Sequence, residues 1–152
     1  MTPPRMTPAA GQHQPGMTSP ARDAGEPGVT PTAGEHQPGF YACRSDEIRP
    51  GERVIRELNG RSVGVFNVDG RFHALRNRCP HEGGALCLGP VTGTTLPARD
   101  FSFAYGMAGR ILRCAWHGWE FEIETGRCLV DARLRAKTYP VVVTDGVVYV
   151  VM

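Results

Sequence analysis

The stretches Cys79-Pro80-His81-Glu82-Gly83 and Cys114-Ala115-Trp116-His117-Gly118 decide what this chain binds, because each places a cysteine, a histidine and a glycine within five residues. A thiolate suits iron–sulfur clusters and zinc, and an imidazole accepts either metal. The two stretches therefore predict one metal centre. Its predicted ligands are Cys79, His81, Cys114 and His117.

The spacing separates two kinds of metal centre. A Cys2His2 zinc finger normally keeps its two cysteines together and its two histidines together, whereas each stretch here has one of each, and C-x-H is too short for a helical pair of ligands. If each stretch gives its cysteine to one iron and its histidine to another, one iron has two thiolates and its neighbour two imidazoles. This is the ligand set of a Rieske [2Fe-2S] cluster. A structural zinc site is the alternative.

At these residues the chain resembles the Rieske ferredoxins and the Rieske domains of ring-hydroxylating oxygenases, over residues 40–152. The shared motifs are Cys79-Pro80-His81-Glu82-Gly83, Leu86-Cys87-Leu88-Gly89, Cys114-Ala115-Trp116-His117-Gly118-Trp119-Glu120-Phe121, Thr125-Gly126-Arg127 and Tyr139-Pro140-Val141. One departure is the 32-residue stretch from 82 to 113, which is longer than in common oxygenase-type members. We expect the extra length in residues 91–109, where Phe101, Phe103 and Tyr105 predict a small packed flap or, alternatively, a partner-contact surface.

The part of the chain after residue 39 reads as an all-β domain. Asn59-Gly60, Asp69-Gly70 and Asp145-Gly146 each separate apolar or β-branched runs, which is the strongest short-range hairpin signal. The predicted strands cover residues 53–58, 62–68, 72–76, 110–113, 119–123, 138–143 and 147–151. Within 119–123, aromatic and aliphatic residues alternate with glutamates, so we expect one buried and one wet face. The resemblance implies three stacked antiparallel sheets with a cluster-binding subdomain at about 77–126.

Residues 1–39 have a different composition from the rest. They hold eight of the thirteen prolines and six glycines but almost no large apolar side chains, which predicts a disordered tail. A segment around His13 recurs around His36, either as low-complexity drift or as a weak metal-binding or docking tail. The tail has a net charge of −1, which leaves about +3 for the remainder of a chain of net +2. That mild balance does not suggest nucleic acid, but it could attract an acidic redox partner.

The sequence predicts a cytoplasmic protein with no membrane association. It has no apolar run typical of a signal peptide and none long enough to span a bilayer.

In a reducing cytosol, Cys43, Cys87 and Cys128 are expected to be buried free thiols. Arg78 and Arg113 precede the two cysteine ligands and could attract an acidic partner, although arginines that only face solvent are the commoner outcome.

The ligand set has a direct consequence for redox chemistry. Two ferric irons, two sulfides, two thiolates and two neutral imidazoles sum to zero charge, so reduction is easier than in a four-cysteine cluster. The added electron is expected on the histidine-ligated iron, which makes His81 and His117 the predicted electron port. Quinol-oxidising members carry a disulfide between the loops and hydroxyls near the cluster. The matching residues here are Gly84, Trp116, Trp119 and Phe121, so the resemblance implies the low-potential, oxygenase-type class.

The leading prediction is a soluble one-electron carrier, a ferredoxin with one Rieske [2Fe-2S] cluster that passes electrons from a reductase to a terminal oxygenase or similar acceptor. An oxygenase would need a further iron held by two histidines and a carboxylate. Only His13, His36 and His73 are left, and about 35 residues follow His117, so we expect no catalysis by the chain alone. The alternatives are an electron-transfer subunit of a larger oxidoreductase complex, or a redox-sensing or structural metal module.

Overall fold

The computed structural model describes residues 38–98 and 102–152. Ten strands make up this part of the chain, together with two short 3-10 turns, Ser45–Glu47 and Leu86–Leu88, and no α-helix. The strands are β1 (Phe40–Arg44), β2 (Arg53–Leu58), β3 (Arg61–Val68), β4 (Arg71–Arg76), β5 (Val91–Pro97), β6 (Phe103–Arg113), β7 (Glu120–Glu122), β8 (Thr138–Tyr139), β9 (Val141–Thr144) and β10 (Val147–Val150). The prediction of an all-β domain is confirmed.

The strands form three antiparallel sheets. Their orders are β1-β10-β9, β2-β3-β4-β8 and β5-β6-β7. The three predicted two-residue turns join β2 to β3, β3 to β4 and β9 to β10, and both residues of each turn have positive φ, from 48° to 86°. This is the backbone of a type I′ turn, which Asn-Gly and Asp-Gly favour because their side chains tolerate the left-handed region.

The central sheet is buried on both faces, which stacks the three sheets as expected. In β3, Val63 and Val65 pack into one cluster with residues of β1 and β10, such as Ala42 and Val148. Phe66, which points the other way, packs into a second cluster with residues of β6 and β7. Because side chains alternate along a strand, β3 supplies both cores and is buried almost throughout.

The strand predictions missed two strands and merged two others. Strands β1 and β5 carry no alternating pattern, and they are held by their pairing with β10 and β6. The predicted strand 138–143 is divided at Pro140, so that β8 joins the central sheet and β9 joins β10. Proline has no N–H for a sheet ladder, which explains the break at this residue.

The expected packed flap is instead an exposed β-hairpin. Strands β5 and β6 pair from Val91 to the Pro97↔Phe103 pair, but only Ile111 to Arg113 of β6 also pair with β7. No described layer covers the far end of this ribbon, and the side chains of Phe103 and Tyr105 are 88% and 68% exposed. The prediction of a packed flap is therefore wrong for these two residues, and Phe101 lies outside the described residues.

The face of β7 that carries the glutamates is less exposed to solvent than predicted. Phe121 and Ile123 are buried as expected. The side chain of Glu120 is only 16% exposed, because it accepts hydrogen bonds from Thr94 Oγ1 at 2.6 Å and from the Arg113 guanidinium at 2.6 Å. Burial opposes ionisation of Glu120, but these two hydrogen bonds outweigh it and lower its pKa. One carboxylate therefore links all three strands of the third sheet.

This linkage predicts a pH-dependent stability. A carboxylate with a lowered pKa stabilises the fold above its ordinary pKa, and this stabilisation is lost as pH falls through the lowered value. We expect Glu120→Gln to reduce the free energy of unfolding by about 1–3 kcal/mol at pH 7, and by much less near pH 3. Urea unfolding at several pH values measures this, with Glu57→Gln at an exposed position of β2 as the matched control. An equal loss at every pH would contradict the prediction.

The predictions for the remaining cysteines and for the N-terminal tail have different outcomes. Cys43, Cys87 and Cys128 are buried free thiols, as expected, and burial raises the pKa of Cys43 to about 11 and that of Cys87 to about 12. The predicted disordered tail, with His13 and His36, lies outside the described residues apart from its last two positions.

Within the described residues, no helix has the length and apolar character needed to cross a bilayer.

Candidate metal centre

The two cysteine–histidine loops have the same backbone design. In the first loop, residues 79–83, the Gly83 N–H donates to the Cys79 carbonyl at 2.8 Å. In the second loop, residues 114–118, the Gly118 N–H donates to the Cys114 carbonyl at 2.9 Å. The N–H of each cysteine in turn donates to the carbonyl five residues later, at 2.7 Å and 2.8 Å. Each loop is thus one closed turn that begins at its cysteine.

Glycine at the fifth position is what closes each turn. Gly83 has φ of 80° and Gly118 has φ of 70°, in the left-handed region where a side chain is costly. The hydrogen bond from the N–H of this glycine to the carbonyl four residues earlier also occurs at the C-terminus of many helices. The spacing C-x-x-x-G therefore encodes the loop geometry, whereas the histidine occupies the third position in the first loop and the fourth in the second.

The cysteines lie on the inner side of the site. Cys79 and Cys114 are each 3% exposed and both belong to the second core cluster. Burial raises the pKa of the Cys79 thiol, the backbone N–H groups of His81 and Glu82 counteract this, and Cys114 adds to the rise. Two buried neighbouring thiols ionise readily only with a cation beside them, so this pair is suited to a metal.

The histidines lie on the outer side. The side chains of His81 and His117 are 27% and 42% exposed, and their ring centroids are 5.0 Å apart. The His81 ring stacks on Trp119 at 4.1 Å. Glu82 faces both outer nitrogens, with its carboxylate oxygens 4.0 Å from His81 Nε2 and 3.6 Å from His117 Nε2.

One buried atom is suited to binding a metal. His81 Nδ1 is buried and has no hydrogen-bond partner within the protein. A buried polar atom without a partner is costly, and a metal that accepts its lone pair removes that cost. The structure therefore brings the four predicted residues together, with two thiols inside and two imidazoles outside, and this donor set fits the predicted cluster.

Comparison with known proteins agrees with this geometry. The family model for the Rieske [2Fe-2S] domain matches residues 39–140. This chain belongs to the Rieske [2Fe-2S] domain family. Its cofactor is accordingly a Rieske-type [2Fe-2S] cluster.

Three relatives illustrate the range of this Rieske family. A human Rieske domain-containing protein is 32% identical over 90 residues, which are 59% of this chain and 49% of the relative. The ferredoxin component of the alkene monooxygenase system of Xanthobacter autotrophicus is 26% identical over 104 residues, 68% of this chain and 73% of the relative. The solved Sphingomonas yanoikuyae B1 ferredoxin superposes with a TM-score of 0.57 at 28% identity, covering 75% of this chain and 98% of that one. The chain thus spans about half of the human relative but nearly all of the solved ferredoxin.

The contact between the two loops bears on the class of Rieske centre. The resemblance implies that Gly84 and Trp116 stand at the positions of the extra cysteines in quinol-oxidising members, and the two residues are in close contact: a Cβ on Gly84 would come within 2.9 Å of the Trp116 ring. Trp116 is 64% exposed, so its ring covers Gly84 and leaves its other face to solvent. An aromatic ring therefore joins the two loops where those members have a disulfide.

Sequence reasoning gave no role to two residues that position the loops. Asn77 accepts a hydrogen bond from the Cys87 N–H at 2.7 Å and donates to Ser62 Oγ at 3.2 Å, which ties the first loop to the central sheet. Gly89 lies so close to Arg113 that a Cβ there would be 1.9 Å from its carbonyl oxygen. Gly89 was part of a recognised motif, but only the three-dimensional contact explains it.

Proposed function

We propose that this chain is a one-electron carrier, the ferredoxin component that supplies electrons to a terminal oxygenase or a similar oxidoreductase. The observation that carries the proposal is the orientation of the site, with buried cysteines on the inner side and, on the outer side, a partly exposed His81 and an exposed His117. Such a site gives a redox partner access to one edge of the centre and excludes water from the other. The similarity to the ferredoxin component of an alkene monooxygenase system supports the same role.

In this proposal Cys79 and Cys114 would hold one iron of the cluster, and His81 and His117 would hold the other. The bound cluster supplies one-electron chemistry at a potential above that of four-cysteine clusters. The N–H groups of His81 and Glu82 stabilise the negative charge of the Cys79 sulfur. The imidazoles of His81 and His117, on the outer side of the site, would lie between the cluster and a docked partner.

The described residues favour a carrier over a catalyst. Mononuclear iron oxygenases use two histidines and a carboxylate. Among residues 38–98 and 102–152 the histidine remaining outside the centre is His73, which lies in β4 beside Asp69, Arg71, Arg110 and Glu124. We accordingly propose that a separate reductase delivers the electron and a separate oxygenase receives it.

A cytoplasmic location stays a prediction that cell fractionation would test.

The proposal is tested by a redox titration of the cluster-loaded chain. We expect one electron per chain and a potential in the lower part of the roughly −150 to +300 mV Rieske range, because Trp119 and Phe121 offer no hydroxyl to the cluster and no disulfide joins the loops. The reduced protein should show a rhombic EPR signal with a low average g. A potential near the top of the range, or a colourless protein containing zinc, would contradict the proposal.

A further inference from the structure

A cationic cleft lies directly beside the first loop. It has a volume of about 470 Å³, and one wall is the loop itself, including His81 and Glu82. The rest of its lining consists of cationic residues from two segments, Arg76, Arg78, Arg135 and Lys137. All four residues are exposed. The Arg76 N–H donates to the Lys137 carbonyl at 2.8 Å, which holds the two segments together.

These four cations differ from the six arginines of the described residues that form ion pairs, namely Arg44, Arg56, Arg110, Arg113, Arg127 and Arg133. None of the four cleft cations forms an ion pair with a carboxylate among residues 38–98 and 102–152. Arg49, Arg53, Arg61 and Arg71 likewise have no carboxylate partner there, but they do not line this cleft. Glu82, the carboxylate in the cleft lining, faces the two histidines instead. Four like charges around one hollow repel each other, and no ion pair with a carboxylate of the described residues offsets this repulsion.

The two loops therefore differ in the charge around them. Next to the second loop, the Arg113 guanidinium is 2.6 Å from the Glu120 carboxylate and is neutralised by it. Next to the first loop, the positive charge is free to act on an approaching molecule. An acidic surface would thus be drawn to the His81 side of the centre rather than to both sides equally.

We propose that this cleft is the docking site for the carboxylate-rich face of a protein redox partner, which it guides onto His81. The proposal rests on the proposed electron-carrier function and adds the charge and position of the partner's contact surface. Because complementary charges act mainly on encounter, the cleft should raise the rate of electron transfer at low salt and lose this effect at high salt.

A modified electrode can stand in for the partner. The probe is a gold electrode coated with a carboxylate-terminated alkanethiol monolayer, and the comparison is an amine-terminated monolayer. The full chain with its cluster is measured by cyclic voltammetry. We expect electron transfer to be about tenfold faster or more at the carboxylate surface at low ionic strength, and the difference should vanish near 1 M salt.

A matched pair of variants separates the cleft from net charge. Arg135→Glu with Lys137→Glu reverses two cleft charges, while Arg78 is left in place because it packs against Gly83 of the loop. Arg49→Glu with Arg71→Glu makes the same change at exposed positions near the opposite end of β4. Both changes lower the chain's net charge from +2 to −2. We expect the cleft variant to lose about tenfold in rate at the carboxylate surface, and the control variant less than about twofold.

Three outcomes would overturn the docking proposal. The first is an equal loss in both variants, because net charge alone would then explain it. The second is equal rates at both monolayers. The third is loss of the preference on adding inorganic phosphate at constant ionic strength, because the cleft would then be a small-anion site. A cluster that neither electrode nor dithionite reduces would instead contradict the electron-carrier function.

Discussion

Replacing His81 with alanine is expected to abolish the Rieske EPR signal and the visible absorption of the cluster. His81 Nδ1 is buried without a partner, its ring is fixed by stacking on Trp119, and no other described histidine is placed to substitute for it. Without this imidazole the centre would lose one of its two predicted histidine ligands. The expected result is at least a tenfold loss of bound iron per chain, measured by iron analysis and by EPR of the reduced protein.

Two further variants make this result interpretable. His73→Ala removes a histidine from the same domain but outside the centre, and it should keep the full signal. His81→Cys replaces a neutral ligand by a thiolate, so a cluster that assembles should carry one more negative charge and have a lower reduction potential. If His81→Ala binds as much iron as His73→Ala with an unchanged spectrum, His81 is not a ligand.

Replacing Gly89 with alanine is expected to destabilise the domain strongly. Gly89 has φ of −68°, which any residue adopts, so the substitution adds no backbone strain of its own. The new Cβ, however, would lie 1.9 Å from the Arg113 carbonyl oxygen, and backbone must move to make room. We expect a loss of about 3 kcal/mol in the free energy of unfolding, which corresponds to a fall on the order of 10–20 °C in Tm.

Because Arg113 precedes Cys114, the same movement should shift the second loop and reduce the bound iron. Gly51→Ala is the matched control, since Gly51 has φ of 88° but nothing within 4 Å of its added Cβ. That variant measures only the effect of placing a side chain on left-handed backbone. We expect it to lower the free energy of unfolding by roughly 1–2 kcal/mol and to leave the iron content unchanged. A Gly89→Ala protein as stable as Gly51→Ala would show that the close approach to Arg113 is unimportant.

Sequence patterns correctly predicted those turns and strands whose structure depends on residues that are neighbours in the chain. The three turns with Asn-Gly or Asp-Gly were identified correctly, because two residues with positive φ specify the turn by themselves. The bounds of β2 were also predicted correctly, because a turn follows it directly. Strand β5 was missed because its residues are held by pairing with β6 and not by a pattern of their own.

The amino-acid sequence by itself determined the chemistry of the centre. It places a cysteine, a histidine and a closing glycine in each of two loops, and bond geometry within five residues is enough to shape such a loop. The assignment of all four side chains as ligands stays a prediction, although the structure brings them together.

Tertiary structure decided what surrounds the centre. It placed the cysteines inside and the histidines outside, neutralised Arg113 with Glu120, and gathered Arg76, Arg78, Arg135 and Lys137 around one cleft. These last cations come from segments more than fifty residues apart in the chain, which meet where β4 pairs with β8. Charge and burial depend on distance in space, which the order of residues does not contain until the sheets are assembled.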